Sequence, residues 1–247
     1  MVASVTGLWR YPIKSHGREA LERVTLTEGQ TMPFDRLWAV AHIESLADGS
    51  EWVPCAHFSR TAKAPGLAAI SARLDEARGE ITLTHPALGT LGFNPDEEPQ
   101  KLIDWAGGLI PEGRLPSHRV IRAREQGFTD SDFPSVTLCN AASHRAVEAR
   151  LGHEIAPERW RGNIWVEGLP AWEEFGWIGR EIRLGAAVLR AEERTDRCLA
   201  THANPETGAR DHDLLSVLDS FGHRDFSVRA RVVRSGELAL GDAVEPL

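Results

Sequence analysis

No periodic apolar stretch in this chain runs far before a glycine or proline stops it, and that punctuation limits what it can fold into. The 247 residues include 22 glycines and 14 prolines. Residues 4–13, 19–27, 37–41, 67–74, 80–84, 118–123, 136–139, 164–166, 182–189, 226–233 and 237–240 read as strands, several with the apolar/polar alternation of a half-buried strand. Asp48-Gly49 predicts a hairpin turn, and Arg78-Gly79 separates two further strands. Helical spacing is confined to residues 101–109, 144–151 and 212–221. Ser143 reads as the N-cap of the second of these helices and Gly152 as its stop. Many short strands with few helices predict a mostly β, α+β fold, built as two β-barrel-like halves with a few packed helices. The soft boundary falls within residues 94–134, which hold two polar, proline-containing connections, and the halves are placed at residues 1–108 and 117–247.

Charge and cysteine usage narrow the function. The net charge of −8 argues against general nucleic-acid binding, which needs a basic face, but leaves room for a local basic pocket. The three cysteines, Cys55, Cys139 and Cys198, are odd in number and dispersed, so neither a disulfide framework nor a CxxC metal motif is present. The opening residues run straight into a strand without a leader pattern, and no apolar run approaches the roughly 18 residues of a membrane span. These features predict a reducing, cytoplasmic setting. There is no dinucleotide or P-loop glycine pattern and no GxSxG elbow.

The candidate chemistry sits at strand ends. Cys198 follows Arg197 and precedes a turn, Asn204-Pro205-Glu206-Thr207-Gly208. A guanidinium favours thiolate, the form that attacks electrophiles or binds soft metals, although an isolated cysteine is also commonly a small buried apolar residue. Lys14-Ser15 ends the first strand and suits an anion, although so short a pattern is also commonly a solvated turn. Arg36 after Asp35, and Arg161 before residues 164–166, put two more cations at strand mouths. Asn140 to Ser143 leads a strand into a helix N-terminus, a place where anions bind. Cys55-Ala56-His57 has no neighbours to complete a tetrahedral metal set. Trp160, Trp165, Trp172 and Trp177 suit either a pocket lining or core packing.

Taken together, these pieces resemble the MOSC-domain family in its form with an N-terminal β-barrel half, and in particular bacterial relatives of the mitochondrial amidoxime-reducing component. Tyr11-Pro12-Ile13-Lys14-Ser15 resembles the family's YPxKS, and Asp35-Arg36-Leu37-Trp38 its DR-x-W step. Arg161-Gly162-Asn163-Ile164-Trp165-Val166 resembles an R-x-N strand, and Arg197-Cys198 with the following turn resembles RC…DPxTG. Residues 236–244 resemble the closing G-x-[IL]-x-x-GD-x-V. The resemblance implies a molybdenum cofactor (Mo-molybdopterin), rather than pyridoxal phosphate, bound between the halves. Cys198 would be the metal ligand and catalytic residue, and Lys14, Ser15, Arg36, Asn140, Ser143, Arg161, Asn163, Thr195 and Arg197 would bind the cofactor. The activity implied is reduction of N-hydroxylated small molecules. Residues after the last motif include no clustered-cysteine extension, so electrons are expected from a separate ferredoxin- or flavoprotein-like donor. His16, Gly162, Asn140-Ala141 and Asn204 depart from the family's usual residues, which are Cys or Leu, Pro, Thr/Ser and Asp respectively. The alternatives are a sulfur carrier that passes sulfur to the cofactor through a Cys198 persulfide, and a cofactor-free β module that binds a partner.

Overall fold

The computed structural model describes residues 2–247. The first strand, β1 (Ser4–Arg10), is followed by the short β2 (Glu19–Leu21) and β3 (Arg23–Leu26), then β4 (Trp38–His42). A meander follows: β5 (Ser71–Asp75), β6 (Glu80–His85) and β7 (Gly89–Phe93). Helix α1 (Pro99–Ala106) and β8 (Ser117–Arg122) lead into β9 (Val136–Asn140), α2 (Ala141–Leu151) and β10 (Ile164–Glu167). Then come β11 (Glu181–Leu184), β12 (Ala187–Asp196), α3 (Leu214–Asp219), β13 (Asp225–Arg234), β14 (Gly236–Ala239) and β15 (Val244–Pro246). The fold is mostly β, of the α+β class. No helix among the described residues is long and apolar enough to cross a membrane.

The largest sheet has eight strands in the order β15-β11-β12-β13-β9-β10-β1-β2. Only β9 and β10 run parallel within it, with α2 between them in sequence, as a parallel crossover requires. The chain's opening strand thus enters the sheet built mainly from its second half: Leu8 of β1 pairs with Ile164 of β10. One face buries Val5, Leu8, Leu138, Ile164, Leu189 and Val228. The other packs Val147 of α2 and Leu214 and Leu218 of α3 against Cys139, Trp160, Trp165 and Phe226. The first half has its own core, in which Trp38 and Val40 of β4 meet Ile81 and Leu83 of β6, Phe93 of β7 and Leu102 of α1.

Four local expectations need correction. The Asp48-Gly49 turn makes no hairpin, because β4 pairs with the distant β8. Gly49 serves that pairing instead: at φ 87°, a Cβ on it would meet the Arg122 carbonyl oxygen at 2.0 Å. Residues 67–70 are not strand, since Pro65 opens a 3-10 turn over Pro65–Ala69. Residues 182–189 form two strands, β11 and β12, with Gly185 (φ 56°) in the turn between them. The N-cap of α2 is Asn140, whose Oδ1 accepts the Ala142 N–H at 2.9 Å, and not Ser143, which lies inside the first turn. Gly152 ends α2 as expected, at φ 88°.

Candidate functional site

The end of β1, the residues before β4, the entry to β10 and the exit of β12 converge on one cavity of about 310 Å³. Lys14, Ser15, Arg36, Arg161, Asn163, Thr195, Arg197 and Cys198, widely separated in sequence, all line it. So do Arg60, Lys63, Arg159 and Arg229, which the sequence reading missed; no motif marks them. Eight cationic side chains face only two carboxylates, Asp130 and Asp196, in a chain whose net charge is −8. The basic pocket that whole-chain charge left open is therefore present.

Tyr11 organises the cationic side. Its ring lies between two guanidinium groups, with Arg36 at 4.6 Å and Arg161 at 4.4 Å from the centroid. Its hydroxyl donates to the Gly162 carbonyl at 3.1 Å, and its N–H donates to Asp35 Oδ1 at 2.9 Å. Arg36 is ion-paired with Asp35 and donates through Nη2 to the Arg161 carbonyl at 2.9 Å. Burial pulls the Arg161 guanidinium down to about 10, with Tyr11 opposing and Arg36 reinforcing the shift. Burial pulls on Arg36 in the same direction, but the paired Asp35 carboxylate outweighs it and the Arg36 pKa is raised. Ser15 (φ 64°), Arg36 (φ 53°) and Arg161 (φ 49°) all hold left-handed backbone, which costs non-glycine residues free energy and concentrates at functional sites.

Lys14 is buried; its ammonium donates to the Phe128 carbonyl at 2.7 Å and to Asp130 Oδ1 at 2.5 Å. Burial alone would raise the Asp130 pKa, but Lys14 holds that carboxyl well below the usual range. Residues 129–134, expected as a polar linker, thus contribute Thr129 and Asp130 to the site, and Thr129, Ser131 and the following Ser135 are buried.

Cys198 follows β12 and is exposed. Its carbonyl accepts from both the N–H and the hydroxyl of Thr201, each at 3.1 Å. Arg197 is committed to the frame: Nε donates to the Phe226 carbonyl at 3.1 Å, Nη1 to the Trp160 carbonyl at 2.9 Å and Nη2 to Ser227 Oγ at 2.8 Å. Asn163 is similarly engaged, accepting the Thr137 N–H and donating to the Trp9 carbonyl, each at 3.1 Å. In the turn, Asn204 Oδ1 accepts the Glu206 N–H at 2.8 Å, as the family's aspartate could. Its Nδ2 also donates to Asp211 at 2.8 Å, where an aspartate would set two carboxylates together.

Two expected site residues stand elsewhere. Asn140 and Ser143 do not line the cavity. They bind the buried Glu174 instead, Nδ2 at 2.8 Å and Oγ at 2.8 Å, and Ser143 Oγ also accepts the Trp172 N–H at 2.8 Å. This network ties the segment before β11 to α2, and burial raises the Glu174 pKa. Of the four tryptophans considered, only Trp160 lines the cavity, stacked on Phe226 at 3.9 Å. Cys55 also lines it, held by Arg60, while His57 lies near Ser45, its Nδ1 3.4 Å from Ser45 Oγ.

His16 is fully buried beside this site, with Nδ1 2.8 Å from the Lys14 carbonyl oxygen and Nε2 unpartnered. Burial lowers its pKa from 6.5 to about 4. A depressed pKa makes the stability contribution complete above pH 6.5, and it is lost as pH falls towards 4, because the unfolded chain takes up the proton first. The loss amounts to at most about 3 kcal/mol. His16→Leu is expected to flatten that acid limb in urea unfolding between pH 7 and 4; a limb of unchanged slope would refute the assignment.

The MOSC N-terminal beta barrel domain family matches residues 2–103, and the MOSC domain family matches residues 126–245. The mitochondrial amidoxime reducing component 2 of Rattus norvegicus is 27% identical over 150 residues, 56% of this chain and 43% of that protein. A probable malate:quinone oxidoreductase of Micrococcus luteus is 36% identical over 81 residues, 32% of this chain and 16% of that protein. The chain therefore spans less than half the length of either curated relative. The YUAD protein from Bacillus subtilis shares the fold at a TM-score of 0.50 and 17% identity, over 100% of this chain and 96% of that one.

Proposed function

The chain belongs to the MOSC-domain family, with that family's N-terminal β-barrel domain ahead of it, and from that premise we propose that it binds a molybdenum cofactor and reduces N-hydroxylated compounds. The observation that carries the reading is an exposed thiol, Cys198, on a cation-lined cavity whose buried donors include two without protein partners, Arg161 Nη2 and Thr195 Oγ1. Buried donors left open cost stability unless a ligand completes them, so the cavity fits an anionic group. Among the described residues no group of three or more His, Cys, Asp or Glu side chains could hold a bare metal ion. A single thiol suits a metal that arrives with other ligands in place. The rat relative's name, an amidoxime reducing component, supports the choice of reaction.

In this reading Cys198 ligates the metal, and Lys14, Ser15, Arg36, Arg161 and Thr195 hold the pterin and its phosphate. When bound, the cofactor supplies the redox chemistry that takes oxygen from an N–O bond. The chain's share is placement and charge. Tyr11 orients Arg36 and Arg161, the Asp130 carboxylate orients Lys14, and Arg197 and Asn163 position the cysteine loop and the entry to β10 through backbone contacts. Electrons come from a separate donor protein.

Protein made in a cofactor-competent host is expected to carry near-stoichiometric molybdenum by elemental analysis and to reduce an amidoxime when given an electron donor. Arg161→Met is expected to lower the metal content. Parent protein that stays metal-free, and as apo-protein takes up no added cofactor, sinks the reading. A persulfide on Cys198 in metal-loaded protein without turnover would replace reduction by sulfur transfer to the cofactor.

A further inference from the structure

The cavity carries more positive charge than the cofactor assignment uses, and part of the surplus comes from the connection between β4 and β5. Arg60, Thr61 and Lys63 line the same cavity as Cys198. Their segment is fixed on two sides. Towards the first half, the Ser59 N–H donates to the Val40 carbonyl at 2.8 Å. Towards the second, Arg210 donates to the Ala62 carbonyl at 2.7 Å, and Gly208 packs so closely that a Cβ on it would lie 2.7 Å from Gly66 Cα. Gly208 and Arg210 belong to the turn that follows Cys198, so this cationic segment is docked on the loop that carries the thiol.

The protein neutralises other cations of the cavity itself: Lys14 meets Asp130, Arg159 meets Asp211 and Arg229 meets Glu193. Arg60 donates to the Cys55 sulfur at 2.7 Å, and among the described residues neither Arg60 nor Lys63 has a carboxylate partner. Between them, Thr61 is 2% exposed, and its buried hydroxyl is unpartnered. A buried hydroxyl without a partner, next to two cations without counterions, is the donor set that receives a carboxylate or phosphate.

We propose that Arg60, Thr61 and Lys63 bind an anionic group of the substrate, so that the compounds reduced here are N-hydroxylated molecules bearing a carboxylate or phosphate-like charge. The substrate class rests on the reductase reading above; the anion site does not. The test compares a neutral aryl amidoxime with its carboxylate- and phosphonate-bearing analogues, by calorimetric titration of the metal-loaded protein without an electron donor. At least one charged analogue is expected to bind about tenfold more tightly than the neutral compound. The analogue with the larger gain identifies the anion. The gain should shrink with added salt and vanish in Arg60→Gln/Lys63→Gln, whose molybdenum content stays at the parent level. Thr61→Val should remove part of it. With a donor supplied, the difference should appear in KM and not in kcat. Equal affinity for neutral and charged compounds overturns the proposal, as does a double variant that loses the cofactor, which would assign these cations to it. Selective binding of a charged analogue without N–O reduction would leave the anion site standing and remove the reductase reading. Reduction of all three compounds with one KM would do the reverse.

Discussion

On the proposed function, replacing Cys198 by serine is expected to lower reductase turnover by more than about a hundredfold, because changing residues that only support a metal's ligands already costs 10–100-fold. The metal's absorption spectrum should change with it, since a thiolate donor is lost. The fold should be unaffected. Cys198 is exposed, and the local bonds it makes run through its carbonyl to Thr201, which serine keeps. Matching circular dichroism and urea midpoints would separate loss of chemistry from loss of structure. The cavity's charge is also kept, so the pterin and phosphate can still bind, and partial retention of cofactor with the altered spectrum is the expected pattern. A serine variant with the parent's spectrum and turnover would remove Cys198 from the metal and leave the cations as an anion pocket only.

The second large effect concerns a residue with no side chain. Gly162 separates Arg161 from Asn163, and a Cβ built on it would lie 2.1 Å from the sulfur of Cys139. Cys139 is 1% exposed and packs in the cluster with Trp160, Trp165 and Phe226. Burial pushes its thiol up to about 12, so it is a neutral packing group at physiological pH. Gly162→Ala is therefore expected to destabilise the protein by about 1–3 kcal/mol through overpacking, seen as a drop in Tm of several degrees. It should also reduce molybdenum content, because the strained Arg161 next to it must move. Cys139→Ala/Gly162→Ala should recover most of the loss, since the next nearest atoms to that Cβ, Cys139 Cβ and Thr137 Cγ2, are each at an ordinary 3.6 Å. A Gly162→Ala protein as stable as the parent, or a double variant no better than the single, would refute the contact.

Much of the architecture could be read from residue order. Period-two alternation located β3 and β13, and helical spacing located α2 and α3, because each depends on neighbours a few positions away. The same locality explains the misses. Asp48-Gly49 is a sound turn signal, but whether a turn becomes a hairpin depends on which strand takes the free edge, and β8 takes it. Ser143 has the chemistry of an N-cap, but Glu174, 31 positions away, claims its hydroxyl.

At the candidate site, the sequence alone singled out Cys198 and the motif residues Lys14, Ser15, Arg36, Arg161, Asn163, Thr195 and Arg197, and the fold lines one cavity with all of them. Their residue types and order are local information. Only the tertiary structure decided that Asn140 and Ser143 serve Glu174, that Asp130 orients Lys14, and that Arg60, Thr61 and Lys63 join the cavity without a carboxylate. The physical reason is that charge compensation and hydrogen-bond satisfaction are settled between atoms a few ångströms apart in space, among residues that chain order does not place together.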